Sequence, residues 1–133
     1  MSGGAFTDPA ALAKTLDRSA VAAMAAAEVA MHHGAKALLV QVQRHASGRP
    51  GPRAITGRYR ASWRTEVHRA GPVVVGEVGT GAPQGRRLEF GFVGVDSLGR
   101  HYNQPPFPHL GMAVEQAGPA LVREIGQAVG RAL

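Results

Sequence analysis

The chain has 133 residues, with 15 basic against 9 acidic side chains and a formal net charge of +6 at pH 7. This length is typical of one domain with a modest core of its own. The absence of cysteine excludes a disulfide framework and thiol chemistry. No stretch approaches the roughly 18 apolar residues that a membrane span needs, and we see no secretory leader. We therefore expect a single domain over residues 1–133 that has no contact with a membrane.

The positive charge is concentrated in the middle of the chain. Residues 44–100 hold ten arginines and four acidic residues, whereas the remainder balances five basic against five acidic side chains. A concentrated basic segment suggests an anionic neighbour, with nucleic acid as the first candidate. A solvated, arginine-rich loop explains the same composition equally well.

The N-terminal third predicts one long helix. Residues 1–7 offer little to bury and are expected to form a flexible leader. Asp8-Pro9 predicts a helix start, since Asp caps exposed backbone amides and Pro is tolerated in the first turn. From there to Ala46 only Gly34 argues against helix, because glycine costs about 1 kcal/mol relative to alanine, so the helix can kink or divide there. The alanine-rich stripe of this helix, which suits a closely approaching partner, consists of Leu12, Leu16, Ala23, Ala27, Ala30, Leu38 and Val42.

A basic loop and two strands follow. Two prolines and two glycines at the start of residues 47–57 exclude regular structure and predict a mobile basic loop. Apolar and polar residues then alternate from Trp63 to Val67, which predicts a first strand. A turn at residues 70–72 leads into Val73–Val78. The almost continuous apolar side chains there predict a second strand that is buried or central.

The next stretch predicts a third strand and an extended arm. Apolar and polar residues alternate over Leu88–Phe92, which indicates a half-buried strand, although the same residues are compatible with a short helical turn. Glu89 is expected to pair with a neighbouring arginine. Residues 93–109 are predicted to form a loop followed by a proline-rich arm, because proline lacks the amide donor and restricts its predecessor. We expect Phe90, Phe92 and Phe107 to contribute to the core.

The chain closes with a predicted helix from about Gly111 to Leu133. An interruption is expected at Gly118-Pro119, because proline removes a helical hydrogen bond. The apolar face of this helix holds Leu121, Ile125 and Val129. Together the elements predict an α+β fold, in which a long N-terminal helix and a C-terminal helix pack on one side of a small, mainly antiparallel sheet, with a long loop or hairpin insert.

Few residues carry recognisable chemistry. The glycines at 79–85 follow a strand, but their spacing does not match G-x-G-x-x-G. Lysine occurs only at Lys14 and Lys36, so the body of the chain lacks a phosphate-loop, nuclease or Schiff-base lysine. The six histidines show no metal-ligand spacing, since the adjacent His32 and His33 point about 100° apart on a helix. We therefore expect no enzymatic activity, no catalytic residue, no cofactor and no bound metal.

Three short motifs carry a resemblance to a phage family. They are Thr56-Gly57 followed by Arg58–Ser62, then Leu88–Gly91, then Pro105–Leu110 before the last helix. In this order and spacing they resemble the tail-component, or neck and tail-completion, proteins of siphophages, the long-tailed bacteriophages. The similarity spans roughly residues 30 to 130. The alanine-rich N-terminal half and the insert Val93–Asn103 depart from the pattern of that family.

The resemblance implies a structural virion protein without catalysis, assembled in the cytoplasm of the host bacterium. It implies a ring, sixfold like the tail tube, at the head–tail junction or the top of the tail tube. There the protein acts in the neck, in tail completion or as a tail terminator, and is needed for joining head and tail. The implied partners are further copies of the chain, the neighbouring head-closure or connector ring, the tail-tube protein and, transiently, phage DNA. The candidate DNA-channel residues are Arg49, Arg53, Arg58 and Arg60, and the candidate subunit-interface residues are Asp96, Leu98, Arg100, Tyr102 and Phe107.

Two other function classes are weaker. The basic segment alone is compatible with a small nucleic-acid-binding protein, but no helix-turn-helix pattern is present. Only Tyr59 and Trp63 lie near the arginines as stacking groups for single strands. An enzyme such as a nuclease is disfavoured by the missing lysines and the sparse acidic residues. Salt-dependent binding to short duplex DNA would favour the nucleic-acid-binding class.

Overall fold

The computed structural model describes residues 8–133 and shows an α+β fold, as predicted. Within these residues the strands form two separate two-stranded antiparallel sheets, β1–β2 and β3–β4. The leader predicted for residues 1–7 lies outside the described residues. The elements in chain order are α1 (Pro9–His45), α2 (Arg58–Ala61), β1 (Trp63–Ala70), β2 (Val73–Thr80), α3 (Gly85–Phe90), β3 (Phe92–Val95), β4 (His101–Gln104) and α4 (Leu110–Ala132).

Helix α1 is the element against which both α4 and the β1–β2 hairpin pack. Its 37 residues span about 55 Å at 1.5 Å per residue. The side chain of Asp8 caps the helix by accepting a hydrogen bond from the backbone amide of Ala10 at 3.0 Å, as the Asp-Pro start predicts. The helix does not divide at Gly34. A Cβ atom at this position would lie 2.8 Å from the side chain of Leu121 on α4, so glycine allows the two helices to approach closely.

The β1–β2 hairpin lies along α1 and confirms the first predicted strand. Its register runs from the pair Trp63 and Thr80 to the pair Ala70 and Val73. The prediction that the second strand is buried or central is wrong, because β2 pairs only with β1 within residues 8–133 and Val73 is exposed. A two-stranded sheet has no central strand, and here only one face packs against a helix. A continuous run of valines therefore did not identify a buried position.

The third predicted strand, over Leu88–Phe92, is wrong. Helix α3 occupies most of this stretch, and β3 begins only at its last residue. As a result Phe90, which we expected in the core, is 74% exposed. Gly91 ends the helix with a φ of +79°, and a Cβ atom there would lie 2.8 Å from the carbonyl oxygen of Gln104. A single turn of helix and a short strand share the same five-residue pattern, so the pattern could not separate them.

Helix α4 is continuous, and the predicted interruption at Gly118-Pro119 is wrong. Pro119 and Glu115, whose carbonyl group would receive the missing hydrogen bond, are both exposed. Water can therefore hydrate that carbonyl group, while the opposite face keeps its packing against α1 through Leu121. None of the helices within residues 8–133 is long and apolar enough to cross a membrane.

The core is small and lies where α1, β1 and α4 meet. Val42 of α1 and Ala113 of α4 have no exposed surface, and Trp63 of β1 is buried beside them. The residues packed around this cluster are partly buried and comprise Leu38, Leu39, Tyr59, Val78 and Leu110.

Candidate functional site

Three polar side chains that are far apart in the chain meet next to the core. Tyr59 lies on α2, Glu89 on α3, and His109 directly before α4. His109 is completely buried, and the ring of Trp63 packs against it. We call these four residues the junction network, because they connect α2, β1, α3 and α4.

His109 uses both of its ring nitrogens inside the protein. Its Nδ1 lies 2.8 Å from the carbonyl oxygen of Phe107, which can only accept, so Nδ1 carries a proton and donates it. Its Nε2 lies 2.5 Å from the hydroxyl group of Tyr59 and accepts a hydrogen bond from it. The rings of His109, Tyr59 and Trp63 pack edge to face, with centroid distances of 5.4 to 6.1 Å. The imidazole is therefore fixed by hydrogen bonds and by packing.

Glu89 caps the N-terminus of α4. Its carboxylate accepts hydrogen bonds from the backbone amides of His109 at 3.0 Å, Leu110 at 2.9 Å and Gly111 at 2.9 Å. These are amides that the helix itself leaves without partners. The expected pairing of Glu89 with an arginine is wrong, since the side chain that faces its carboxylate among the described residues is the imidazole of His109, with Nδ1 at 3.0 Å from Oε2. The acidic residue of the second motif thus anchors the last helix.

The pKa values of the network indicate which groups are charged. Burial opposes ionisation of Glu89, but the three backbone amides and His109 favour the carboxylate more strongly, so the pKa of Glu89 lies below its usual value. Burial raises the pKa of the Tyr59 hydroxyl group, and the negative charge of Glu89 acts in the same direction. At neutral pH the network therefore combines a charged carboxylate with a neutral phenol.

The geometry of the network is better suited to holding the elements of the fold together than to acid–base catalysis. Tyr, His and Glu are residues that acid–base catalysts use, but a reacting group must reach its substrate. His109 has no exposed surface, and the side chain of Glu89 is only 11% exposed and directed at the amides of α4. Within residues 8–133, no three His, Asp or Glu residues are placed so that they could hold a metal ion. We interpret the junction network as a structural connection.

The basic loop over residues 47–57 is irregular, as predicted, and is attached to the body of the protein. The guanidinium group of Arg49 lies 3.9 Å from the centroid of the Phe107 ring. Its Nη1 donates a hydrogen bond to the carbonyl oxygen of Gly51 at 3.0 Å, and both Gly51 and Pro52 are buried. Arg49 therefore joins the loop to the proline-rich arm. This contact joins Arg49, a candidate DNA-channel residue, to Phe107, a candidate subunit-interface residue.

The other three candidate DNA-channel arginines differ in whether their guanidinium groups bind other residues of the protein. Arg60 donates a hydrogen bond from Nη1 to the hydroxyl oxygen of Ser47 at 3.2 Å, so it too holds the loop. Arg53 and Arg58 are exposed, and their guanidinium groups have no hydrogen bond or ion pair with any residue between 8 and 133. Arg53 and Arg58 are thus the two members of the set whose charges remain available to an external anion.

The insert Val93–Asn103 forms most of the β3–β4 hairpin, whose turn is organised by Asp96. Its Oδ1 accepts hydrogen bonds from the amides of Leu98 and Arg100, each at 2.9 Å. Its Oδ2 accepts from Nε of Arg100 at 2.6 Å and from the hydroxyl group of Tyr102 at 3.1 Å. The hydrogen bond from the Arg100 backbone and these further donors keep the pKa of Asp96 below its usual value. Three of the five candidate interface residues therefore bind one another and make the turn rigid.

The hairpin also presents apolar surface to solvent. Leu98 at its tip is 75% exposed, and the valines Val93 and Val95 of β3 are exposed as well. A two-stranded hairpin alone is only marginally stable in water, so exposed apolar groups on it favour a contact with another surface. Phe107, the fifth candidate interface residue, is instead half-buried against Arg49 of its own chain.

Sequence reasoning missed the junction network, although it singled out the segments that form it. Tyr59, Glu89 and His109 each belong to one of the three short motifs, and the structure shows why the motifs occur together. The backbone amide of Phe107 also donates to the carbonyl oxygen of Leu88 at 2.6 Å, which ties the second motif to the third. The occurrence of all three motifs in one chain was the sequence signal that could have indicated this network.

Comparison with known proteins gave one match. The model of the HK97-gp10-like family, described as "Bacteriophage HK97-gp10, putative tail-component", matches residues 10–91. The match covers α1, both strands of the first hairpin and α3, and so includes Tyr59 and Glu89. The searches of curated proteins and of solved structures found no match.

Proposed function

Because this chain belongs to the HK97-gp10-like family of bacteriophage tail components, we propose that it forms part of a ring at the head–tail junction or at the top of the tail tube. In this position it acts in the neck, in tail completion or as a tail terminator, and joins head to tail. A tail component is part of the virion, and assembly takes place in the host cytoplasm. The observation that carries the proposal is the family match over more than half of the chain.

The partners in this proposal are neighbouring copies in a sixfold ring, the adjacent head-closure or connector ring and the tail-tube protein. The β3–β4 hairpin supports such contacts, because its turn is fixed by Asp96 while Leu98 projects into solvent. A rigid element that carries an exposed apolar tip loses little conformational entropy when it docks. The deciding experiment is a cryo-electron microscopy map of the virion, and a position outside the neck and tail would contradict the proposal.

We further propose that the protein has no catalytic role. The candidate chemical groups support this, because the junction network uses its polar atoms to hold α4 in place. In the proposed ring, phage DNA is a transient neighbour that passes the basic loop. Contacts of this kind are diffuse charge interactions with phosphates and do not involve bases.

The exposed tip of the hairpin provides a direct test of the ring contact. Leu98→Glu should change the free energy of unfolding by no more than about 0.5 kcal/mol, because the side chain is exposed. Complementation of a phage that lacks this gene should nevertheless yield separate heads and tails, since a charge is placed in an apolar contact. Electron microscopy and infectious titre measure this.

The matched control for this test is Val122→Glu, which places the same charge at an exposed valine on α4. It should support normal joining of heads and tails. If the Leu98→Glu protein also supports normal joining, the hairpin tip is not a subunit contact.

The two free arginines of the basic loop test its role toward DNA. The Arg53→Glu, Arg58→Glu double variant should fold normally, because both side chains are exposed. Four units of charge are changed, so retention or ejection of DNA should be impaired if the loop lines the channel. The measurement is the DNA content and the ejection efficiency of complemented particles. Arg123→Glu on α4 is the control, and normal packaging and infection by the double variant would show that the loop is only solvated surface.

A further inference from the structure

Each of the two hairpins combines one polar strand with one apolar strand. In the first hairpin, half of the side chains of β1 are charged or ionisable, whereas β2 has Glu77 as its one charged residue. In the second hairpin, all residues of β4 carry polar side-chain atoms, whereas β3 consists of three apolar residues and a glycine. Natural proteins protect the open edges of their sheets with charged side chains, especially lysine, and with proline. Neither β2 nor β3 has a lysine or a proline, so these strands are the least protected edges among residues 8–133.

The backbone of β2 leaves hydrogen-bonding groups free along its outer edge. Ala70 and Val73 close a two-residue turn and therefore exchange backbone hydrogen bonds with each other, and bonded pairs alternate with non-bonded pairs from there. The N–H and C=O groups of Val74 and Gly76 thus point away from β1, and no residue between 8 and 133 binds them. Gly76 is exposed, so another chain can reach this edge. The natural partner for such groups is the backbone of a further strand.

Strand β3 has the same kind of open edge. The backbone amide of Asp96 donates to the carbonyl oxygen of Arg100 at 3.0 Å, so the backbone of Asp96 faces the returning chain. By alternation, Val95 and Val93 direct their backbone groups outward. Their side chains are 53% and 78% exposed, so a strand that pairs here also covers apolar surface. In the folded chain β2 and β3 belong to separate sheets, so the partner of each edge has to come from another molecule.

An unpaired charge on β2 indicates which strand fits there. Glu77 lies directly opposite Glu66 on the face of the first hairpin that is exposed to solvent, and like charges in this arrangement repel each other. Neither carboxylate forms an ion pair with a residue between 8 and 133, and this includes Arg64 and His68 on the same face. The edge of β2 therefore favours a neighbour that brings a positive charge to this face.

Strand β3 brings such a charge with it. The guanidinium group of Arg87, on α3 directly before β3, lies 3.8 Å from the centroid of the Phe92 ring. It has no acidic partner among residues 8–133. The ring of Phe92 extends along the strand, since a Cβ atom on Gly94 would lie 2.8 Å from its Cζ atom. Arg87 is thus held on the face of β3 that Phe92 and Gly94 share.

We propose that β3 of one copy adds to the open edge of β2 in the next copy, so that the two hairpins form one antiparallel four-stranded sheet. The register places Val95 opposite Val74 and Val93 opposite Gly76. In this register the outward backbone groups of one strand face those of the other. A contact between two different surfaces of identical chains is head-to-tail, and such contacts generate rings when the rotation closes. The inference rests on the proposed ring and names the surface that receives the hairpin.

The same register accounts for the charges. It sets Phe92 opposite Glu77, and residues opposite each other in an antiparallel pair project on the same face of the sheet. The guanidinium group of Arg87, which rests on the Phe92 ring, then lies beside the carboxylate of Glu77. The four-stranded sheet thereby gains a positive charge at the place where one chain alone has two facing carboxylates.

Disulfide trapping tests the pairing, because the natural chain has no cysteine. Val74→Cys and Val95→Cys variants of the full-length protein, purified separately and mixed under oxidising conditions, should form mixed disulfide dimers. The Cα atoms of such a pair are about 5.5 Å apart, which is within the range for a disulfide. The matched control is Val67→Cys, because Val67 is partly buried like Val74 and lies on the same face, but its backbone groups point to the other edge of the hairpin. Mixed with Val95→Cys, this control should form no dimer.

Charge reversal gives a second readout, measured by sedimentation velocity. The unchanged protein should show a sedimentation coefficient that rises with concentration. Glu77→Arg and Arg87→Glu should each weaken this association by at least about tenfold, because either change places like charges beside each other. Both changes in one chain should restore the association. Glu66→Arg is the control, since it also separates the two facing carboxylates but lies one strand further from β3, and it should have a much smaller effect.

Mixed disulfides with Val67→Cys as abundant as those with Val74→Cys would overturn the inference, as would disulfides between Val95→Cys copies alone or no disulfides at all. A double charge variant that associates no better than either single variant would also contradict it. These measurements use purified protein, whereas the position in the tail is judged on particles. Failure of the contact and failure of the proposed function are therefore distinguishable.

Discussion

Replacing His109 with alanine is expected to lower the free energy of unfolding by about 3–5 kcal/mol, the range for large-to-small changes of buried rings. The ring of His109 is completely buried between those of Tyr59 and Trp63, so its removal leaves a cavity. The hydroxyl group of Tyr59 and the carbonyl group of Phe107 also lose their partner. Domains of this kind are typically stable by only about 5–15 kcal/mol, so the variant should unfold at a much lower urea concentration.

The measurement is urea unfolding followed by the fluorescence of Trp63, which is the one tryptophan and lies beside the altered site. His101→Ala is the matched control, because His101 is exposed on β4 and its loss should cost no more than about 0.5 kcal/mol. Equal unfolding midpoints for the two variants would show that the junction network does not hold the fold together.

Replacing Glu89 with glutamine should destabilise the protein at pH 7 by about 1.5–3 kcal/mol, the range for hydrogen bonds to charged groups. The change keeps the shape of the side chain but removes the charge that faces three amides at the start of α4. A carboxylate is also the favoured partner of the positive end of a helix dipole. Urea unfolding at pH 7 measures the loss, and Glu115→Gln, at an exposed position of α4, is the control.

The stability of the natural protein and that of the Glu89→Gln variant should respond differently to acid. The pKa of Glu89 is lower in the folded state than its unfolded value of about 4.3, so its contribution is complete above that value. The contribution is lost as the pH falls through the folded pKa. The difference in stability between the natural protein and Glu89→Gln should therefore shrink on acidification. Asp96 is present in both proteins and cancels in this comparison. A difference that stays constant down to pH 2 would show that the charge of Glu89 does not stabilise the fold.

The structure assigns a physical role to the three motifs that carried the resemblance to phage tail proteins. The family match ends at Gly91, before the proline-rich arm, yet its two motifs supply Tyr59 and Glu89 to a network that His109 completes. Because these side chains hold α2, α3 and α4 together, we expect the motifs to specify the fold and the contacts with neighbours to lie elsewhere. The candidate contact is the exposed tip of the β3–β4 hairpin.

The sequence by itself determined the elements whose signals are local. Asp8-Pro9 and a run of helix formers interrupted only by Gly34 placed α1 to within a residue. Alternation followed by a turn placed β1 and the start of β2. The α+β class followed from these elements. The proline-rich arm was also recognised, because proline excludes both helix and central strand at the position where it stands.

Only the tertiary structure decided the features that depend on distant partners. Glu89 turned toward the amides of α4, some twenty residues away, which favoured a helical turn in place of the expected strand and left Phe90 in solvent. Pro119 stayed within α4 because packing of the opposite face against α1 outweighs one lost hydrogen bond. A local sequence pattern indicates the periodicity of a segment, but it does not identify the distant hydrogen-bond partners of its polar atoms. The free energy of those distant hydrogen bonds and contacts selected between conformations that the residues 85–92 and 110–132 allow equally well on their own.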